Sequence, residues 1–253
     1  MPFSPLQIRE AFHLLFLQEF LRKFDPKLVV LKGGVNLRFF FQSPRYSEDM
    51  DLDVKTASVE SVAKNVLRTL EALSIPMKVY GVSQIVAPTM KASKQTATTQ
   101  RFKIHLHTSS GLDLFTKVEF SRRGMMEAYQ FGKVDDSLLR TYRLASVLVQ
   151  HYGAGTAFEQ KIRALAGRVE VQSRDVFDLY RLLSFLPPSW PFPVDAAIRE
   201  QAAQRAIEIT FIEYREAVVA YLSEEDQKIY GLEEVWQEIQ GAVVKALKAG
   251  RSP

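Results

Sequence analysis

LKGGVNLRFFFQSPRYSEDMDLDV, residues 31–54, is the stretch that decides how this 253-residue chain is read. An apolar strand over residues 28–31 runs into Gly33-Gly34, and residues 35–41 continue as a short aromatic-rich helix. A glycine turn that opens a helix presents backbone N–H groups able to hold phosphate. Next comes Ser47-Glu48-Asp49-Met50-Asp51-Leu52-Asp53. At the period of a strand, Asp49, Asp51 and Asp53 lie on one face, while Met50, Leu52 and Val54 turn to a core. Aligned like charges repel unless a cation sits between them, and Mg²⁺ with substrate phosphates is the usual answer. The stretch reads as a nucleotide site.

Outward from it, the pattern divides the chain. Residues 6–23 carry Ile8, Phe12, Leu15, Phe16 and Phe20 at helical spacing, and Pro26 turns the chain into the first strand. A helix is expected over 58–73 with Ser58 as its N-cap. Residues 78–86, 100–107 and 112–120 read as strands, the last two forming a hairpin around Ser109-Ser110-Gly111. Beyond Arg123 strand signals stop, and 137–150, 157–168, 174–186, 195–222 and 232–249 read as helices. Pro187-Pro188-Ser189-Trp190-Pro191 is a stiff break among them. The fold class expected is α+β: a mixed sheet with flanking helices over residues 1–130, then a helical bundle over 131–253.

Composition agrees with a soluble, cytoplasmic enzyme. A hydrophobic fraction of 47% against 25% charged residues supports a packed core. The absence of cysteine excludes a disulfide framework and a thiolate metal site. Arg9, Glu10 and Glu19 interrupt the first twenty residues, so neither a signal peptide nor a membrane span fits there. A net charge of +4 is compatible with a nucleic-acid partner without demanding one.

Metal-dependent phosphoryl transfer needs carboxylates that hold cations against the triphosphate. Asp49 and Asp51 supply two, and Glu119, alternating with Val118 and Phe120 on a later strand, is the candidate for a third. His105 and His107 also alternate on a strand, but no Cys or third His lies near them in sequence, so a metal pair is set aside. His13 and His151 read as packing residues. In the helical half, Lys161 and Arg168 share a helix face, and Asp175 and Asp178 lie three apart on a helix otherwise apolar nearly all round. Buried carboxylates require cationic or hydrogen-bonding partners. One reading is a structural cluster with Arg163, Arg168 or Arg174. The other has Lys161 as an unpaired cation reaching a triphosphate, with Asp175 positioning it.

These blocks resemble a known family. Lys32-Gly33-Gly34 followed by Leu37, then Arg45-Tyr46-Ser47-Glu48-Asp49-Met50-Asp51-Leu52, is similar to the signature of AbiEii/AbiGii-type nucleotidyltransferase toxins of abortive-infection and toxin–antitoxin systems. Val118-Glu119-Phe120-Ser121 resembles that family's later acidic strand, and the segment from Lys161 to Asp178 its helical K…R…RDxxD block. The three blocks recur in order over roughly residues 28–185. The resemblance implies a polymerase-β-like nucleotidyltransferase domain and a helical domain completing the active-site cleft. Asp49 and Asp51 then correspond to the metal-binding acids, Lys161 and Asp175 to the helical Lys and Asp. Nucleotide binding would fall to Lys32, Gly33, Gly34, Asn36, Ser47, Lys161 and Arg168. The family often has Thr or Ser directly after the glycines. Here Val35 and Asn36 stand there, leaving Asn36 or Ser47 to substitute for the hydroxyl.

The activity so implied is transfer of a nucleoside monophosphate from an NTP, with Mg²⁺ or Mn²⁺ and release of pyrophosphate. The acceptor implied is the 3′ end of tRNA, or another RNA, with a cognate antitoxin as partner, no membrane and a monomer favoured. Two rivals stand: an aminoglycoside-type enzyme with a small-molecule acceptor, and a decayed nucleotide- or RNA-binding protein. Arg38, Arg45, Lys91, Lys94, Arg101, Arg122, Arg123, Arg140 and Arg143 favour RNA if they form one surface with the site.

Overall fold

The computed structural model describes residues 3–73, 85–124 and 128–252; most of the strand expected over 78–86 lies outside them. The chain forms two compact units, one of Met1–Phe40 with Tyr46–Tyr152 and the other of Phe41–Arg45 with Gly153–Pro253.

The first unit opens with helix α1 (Pro5–Lys23), started by a capping box in which Ser4 and Gln7 each satisfy the other's backbone N–H. Phe12, Phe16 and Phe20, one per turn, bring successive ring centroids to 6.0 and 5.7 Å, and Phe20 continues onto Phe120 at 5.3 Å. Each is wholly buried, a gain of roughly 1.5–3 kcal/mol per ring that fastens α1 to the sheet. Strand β1 (Val29–Lys32) leads into α2 (Gly33–Phe40), β2 (Met50–Val54) and α3 (Val59–Ala72), the last capped by Ser58 as expected. Then come β3 (Ile85–Gln95), β4 (Thr99–Thr108), β5 (Asp113–Ser121), β6 (Tyr129–Lys133), α4 (Asp136–Thr141) and β7 (Leu148–Tyr152). The described strands form one mixed sheet ordered β3-β4-β5-β2-β1-β7-β6. β2 runs parallel to β5 and β1 parallel to β7; the other neighbours are antiparallel.

Two of these strands correct the sequence reading. The helix expected over 137–150 ends at Thr141, and Leu148–Tyr152 is β7. A short apolar run cannot be told from a buried helix by periodicity. Val147, Val149 and Tyr152 favour a strand, and the parallel partner β1 accepts one there. β6 is an edge strand with largely exposed side chains, so it carries no alternation to read. The sheet unit therefore extends to Tyr152, and the continuous part of the helical unit, which also takes in Phe41–Arg45, runs from Gly153 rather than from residue 131.

The second unit contains α5 (Ala154–Gly167), α6 (Ser173–Leu183), α7 (Ala196–Glu208), α8 (Phe211–Ala217), α9 (Glu224–Tyr230) and α10 (Glu233–Ala249). The single helix expected over 195–222 is broken between α7 and α8, because Thr210 and Glu213 form a capping box that starts a new helix. Its core centres on Tyr214, stacked on Trp236 with centroids 4.4 Å apart. Arg205 donates to the carbonyls of Leu165 (3.2 Å) and Ala166 (2.9 Å), satisfying groups the last turn of α5 leaves open.

Candidate active site on the sheet

Register assembles the acids. Parallel pairing sets Asp51 of β2 beside Glu119 of β5, and antiparallel pairing sets Lys32 of β1 opposite Asp51. On the other side Arg101 of β4 lies opposite Glu119, and Lys94 of β3 opposite Arg101. Cross-strand partners share a face, so Lys94, Arg101, Glu119, Asp51 and Lys32 form one row across five strands. Lys91, Lys103 and Lys117 form a second row two residues along β4 and β5.

The acids are not equally neutralised. Lys117 pairs with Asp49 at 2.6 Å, and its backbone N–H also donates to Asp49 Oδ1 at 3.2 Å. Arg101 donates to Glu119 Oε2 at 2.7 Å. Asp53, only 3% exposed, takes an ion pair from Lys32 and a hydrogen bond of 2.6 Å from the Tyr152 hydroxyl. Asp51 alone of the four has no hydrogen-bond or ion-pair partner among the described residues. Burial first, then the neighbouring Asp49 and Glu119, push its carboxyl above the ordinary carboxylate range despite Lys32 and Lys117. Asp49, Asp51 and Glu119 are hard oxygen donors, one of them unpartnered, and so fit a Mg²⁺-type cation. Gly33 makes room for this. Its φ of +69° favours glycine, and a β-carbon there would stand 2.9 Å from Asp51 Oδ2.

A buried relay holds the start of the acidic strand. His13 Nε2–H donates to Thr116 Oγ1 at 2.7 Å, and the Thr116 hydroxyl donates to the Glu48 carbonyl at 2.6 Å. Burial, with the Arg9 charge, lowers the His13 imidazole to about 3, so it is neutral in this role. Ser47 Oγ donates to the Asp49 carbonyl at 2.9 Å. Asn36 corrects an expectation. It is 1% exposed, its Nδ2 donates to the Tyr152 carbonyl at 2.9 Å and its Oδ1 faces His151 Nδ1 at 3.1 Å, so its amide fastens α2 to β7.

Residues 15–249 match the sequence profile of the family described as Nucleotidyl transferase AbiEii toxin, Type IV TA system. The chain belongs to the AbiEii family. It is a nucleotidyltransferase of toxin–antitoxin type, with the mixed sheet and following helices expected. Among solved structures, JHP933 from Helicobacter pylori is similar in fold, with a TM-score of 0.63 and 16% identity over 98% of this chain and 94% of that one. MenT4, a nucleotidyltransferase toxin from Mycobacterium tuberculosis H37Rv, gives a TM-score of 0.53 and 17% identity over 93% of this chain and 82% of that one. No curated protein sequence matches. Among the described residues no helix is long and apolar enough to cross a membrane.

The helical block of this AbiEii chain is a closed ion-pair network. Lys161 Nζ lies 2.8 Å from Asp175 Oδ1 and 2.6 Å from Asp178 Oδ2, and both aspartates are wholly buried. Arg168 Nε donates to Asp175 Oδ2 at 2.7 Å, and Arg45, 5% exposed, reaches Asp178 at 3.3 Å. Burial alone would lower the Lys161 ammonium, but Asp175 and Asp178 outweigh it and hold it above its ordinary value. Burial would raise Asp175; Lys161 and Arg168 bring it below the usual carboxylate range. The expectation of an unpaired Lys161 is therefore corrected. Two carboxylates take its charge, and its loss would strand them.

Other basic residues are likewise committed. Arg38 is held by Glu10 at 2.6 Å, with the Tyr142 hydroxyl donating to the same carboxylate at 2.7 Å. Arg122 donates to Gln100 Oε1 at 2.6 Å and to the Ala57 carbonyl. Lys91, Lys94, Lys103, Arg123, Arg140 and Arg143 are exposed. Strand alternation already puts Lys117 on the face of Glu119, and Lys103 is the cation there that the sequence reading leaves out. Counting back from the turn at 109–111 pairs Arg101 with Glu119, and so places Lys103 opposite Lys117.

Proposed function

We propose that this AbiEii-family toxin transfers a nucleoside monophosphate from an NTP to the 3′ end of tRNA, using a divalent metal held by Asp49, Asp51 and Glu119. One observation carries the reading: Asp51, half-buried and without a hydrogen-bond or ion-pair partner among the described residues, lies in register with Glu119 in a row flanked by cations. Bound there, Mg²⁺ or Mn²⁺ would neutralise triphosphate charge and make the attacking hydroxyl easier to deprotonate. The first-turn N–H groups of α2, opened by Gly33 and Gly34, suit a phosphate. Lys117 and Arg101, which pair with Asp49 and Glu119 here, would turn to phosphate oxygens when a cation takes those carboxylates. Lys32 stays with Asp53 and sets the positive end of the row.

Lys91, Lys94 and Lys103 support an RNA acceptor, because they extend cationic charge from the acids to the sheet edge at β3. The intact acid cluster is no relic. Without a cation to bind, the repulsion among Asp49, Asp51 and Glu119 would be cost without return. The type IV toxin–antitoxin assignment implies a cognate antitoxin and action in the cytoplasm, where tRNA and NTPs meet.

The test is incubation of purified protein with total RNA and each of the four labelled NTPs in turn, with Mg²⁺ or Mn²⁺. The expected result is labelled tRNA with one preferred NTP and binding that weakens steeply with salt. Labelling of an aminoglycoside but no RNA would move the acceptor to a small molecule. Failure to bind any NTP by calorimetry would remove the catalytic reading.

A further inference from the structure

The β4–β5 hairpin holds a second group of metal-competent side chains. Sequence alone sets His105 and His107 aside for want of a third ligand, and the hairpin supplies it. Asp113 opens β5 directly opposite His107, on the face that also carries His105. Asp113 Oδ1 lies 3.0 Å from His105 Nε2 and 3.4 Å from His107 Nδ1, and the three ligand atoms all fall within 4.8 Å of one another. Zinc bound tetrahedrally at about 2.0–2.1 Å has neighbouring ligand atoms roughly 3.3 Å apart, so two edges of such a polyhedron are already in place.

The surroundings orient the ligands in the way metal-bound histidines require. The far nitrogen of His107, Nε2, lies 3.2 Å from Thr89 Oγ1 on β3, which fixes the ring and leaves Nδ1 turned to the cluster. His105 is stacked on Phe115 with centroids 4.4 Å apart and planes 17° from parallel. Its Nε2 is buried, and no hydrogen bond of good geometry satisfies it. The ring centroids of the two imidazoles lie 3.8 Å apart, so both rings reach the same turn end of the hairpin. Asp113 is half exposed, so water can complete the coordination.

We propose that His105, His107 and Asp113 form a binding site for a borderline divalent cation, Zn²⁺ foremost, distinct from the oxygen-only site of Asp49, Asp51 and Glu119. Imidazole ligands select zinc, copper or nickel over magnesium. The six-residue step along β5 from Asp113 to Glu119 separates the two sites by roughly 20 Å. Occupancy clamps the turn end of the hairpin whose other end carries Arg101 and Glu119. The proposal does not depend on the acceptor or on activity.

The test is titration of the full-length metal-free protein with Zn²⁺ against a chromogenic chelator, in excess Mg²⁺ to occupy the oxygen site. One Zn²⁺ per chain is expected, with a rise in melting temperature. The double variant His105→Ala, His107→Ala should lose that Zn²⁺ while melting as the wild type does without zinc. Thr89→Val should weaken binding by about 10-fold, and Asp51→Asn should keep the wild-type affinity. Proton NMR should shift the ring signals of His105 and His107 and leave those of His13 and His151 in place. Zinc uptake unchanged by loss of both histidines, or no uptake by the wild type, would overturn the site and leave only a histidine–aspartate contact.

Discussion

The acidic row of the sheet and the charged cluster of the helical unit use the same residue types and end in opposite states. In the helical unit two wholly buried aspartates are met by Lys161, Arg45 and Arg168, so every carboxylate has a cation in contact. On the sheet, among the described residues, Asp49 and Glu119 have one cation each in contact and Asp51 has none, while Lys32 is drawn off by Asp53. A neutralised cluster contributes rigidity and has nothing left to bind. An under-neutralised one is held by its scaffold in a state that a metal and triphosphate would relieve. The contrast separates cement from site.

The largest expected effect is on the cement. Asp178→Ala leaves Lys161 and Arg45 buried beside one fewer charge, and should cost about 3–5 kcal/mol of stability in denaturant unfolding. A melt within error of wild type would break the comparison. Lys161→Ala should follow at about 1.5–3 kcal/mol, since Arg45 and Arg168 still face the stranded aspartates. If it lowered activity at unchanged stability, Lys161 would belong with the site.

Asp51→Asn should go the other way. The folded carboxyl lies above its unfolded value, so its ionised form opposes folding at neutral pH. The metal-free variant is expected to melt no lower than wild type, and added Mg²⁺ should raise only the wild-type melting temperature. A smaller effect comes from the buried imidazoles. Burial lowers His13 to about 3 and His151 to about 4, so below pH 6.5 the unfolded chain holds protons the folded one does not. Stability should therefore rise with pH between about 4 and 6.5, and His13→Gln should reduce that slope by about one proton.

Much of the sheet site was legible because strand period alone sorts Asp49, Asp51 and Asp53 from Met50, Leu52 and Val54. Glu119 followed from the same alternation. Register was the missing information: the turn at 109–111 sets Arg101 opposite Glu119 and Asp113 opposite His107, and only pairing makes Asp113 a neighbour of the histidines. β7 was misread because a buried strand between covered faces shows no alternation, and β6 because an exposed edge strand shows none either. Lys161 was misjudged because spacing reveals a shared helix face but not that Asp178 of the next helix reaches the same ammonium.

If Asp49, Asp51 and Glu119 hold the catalytic metal, Asp51 is indispensable to nucleotide transfer. The direct measurement is the rate of nucleotide transfer from labelled NTP to tRNA by Asp51→Asn and wild type, with melting curves recorded on the same preparations. A loss of at least about 10²-fold, with the variant melting at or above the wild-type temperature, is the expected result. Transfer near the wild-type rate by a folded Asp51→Asn protein would contradict it.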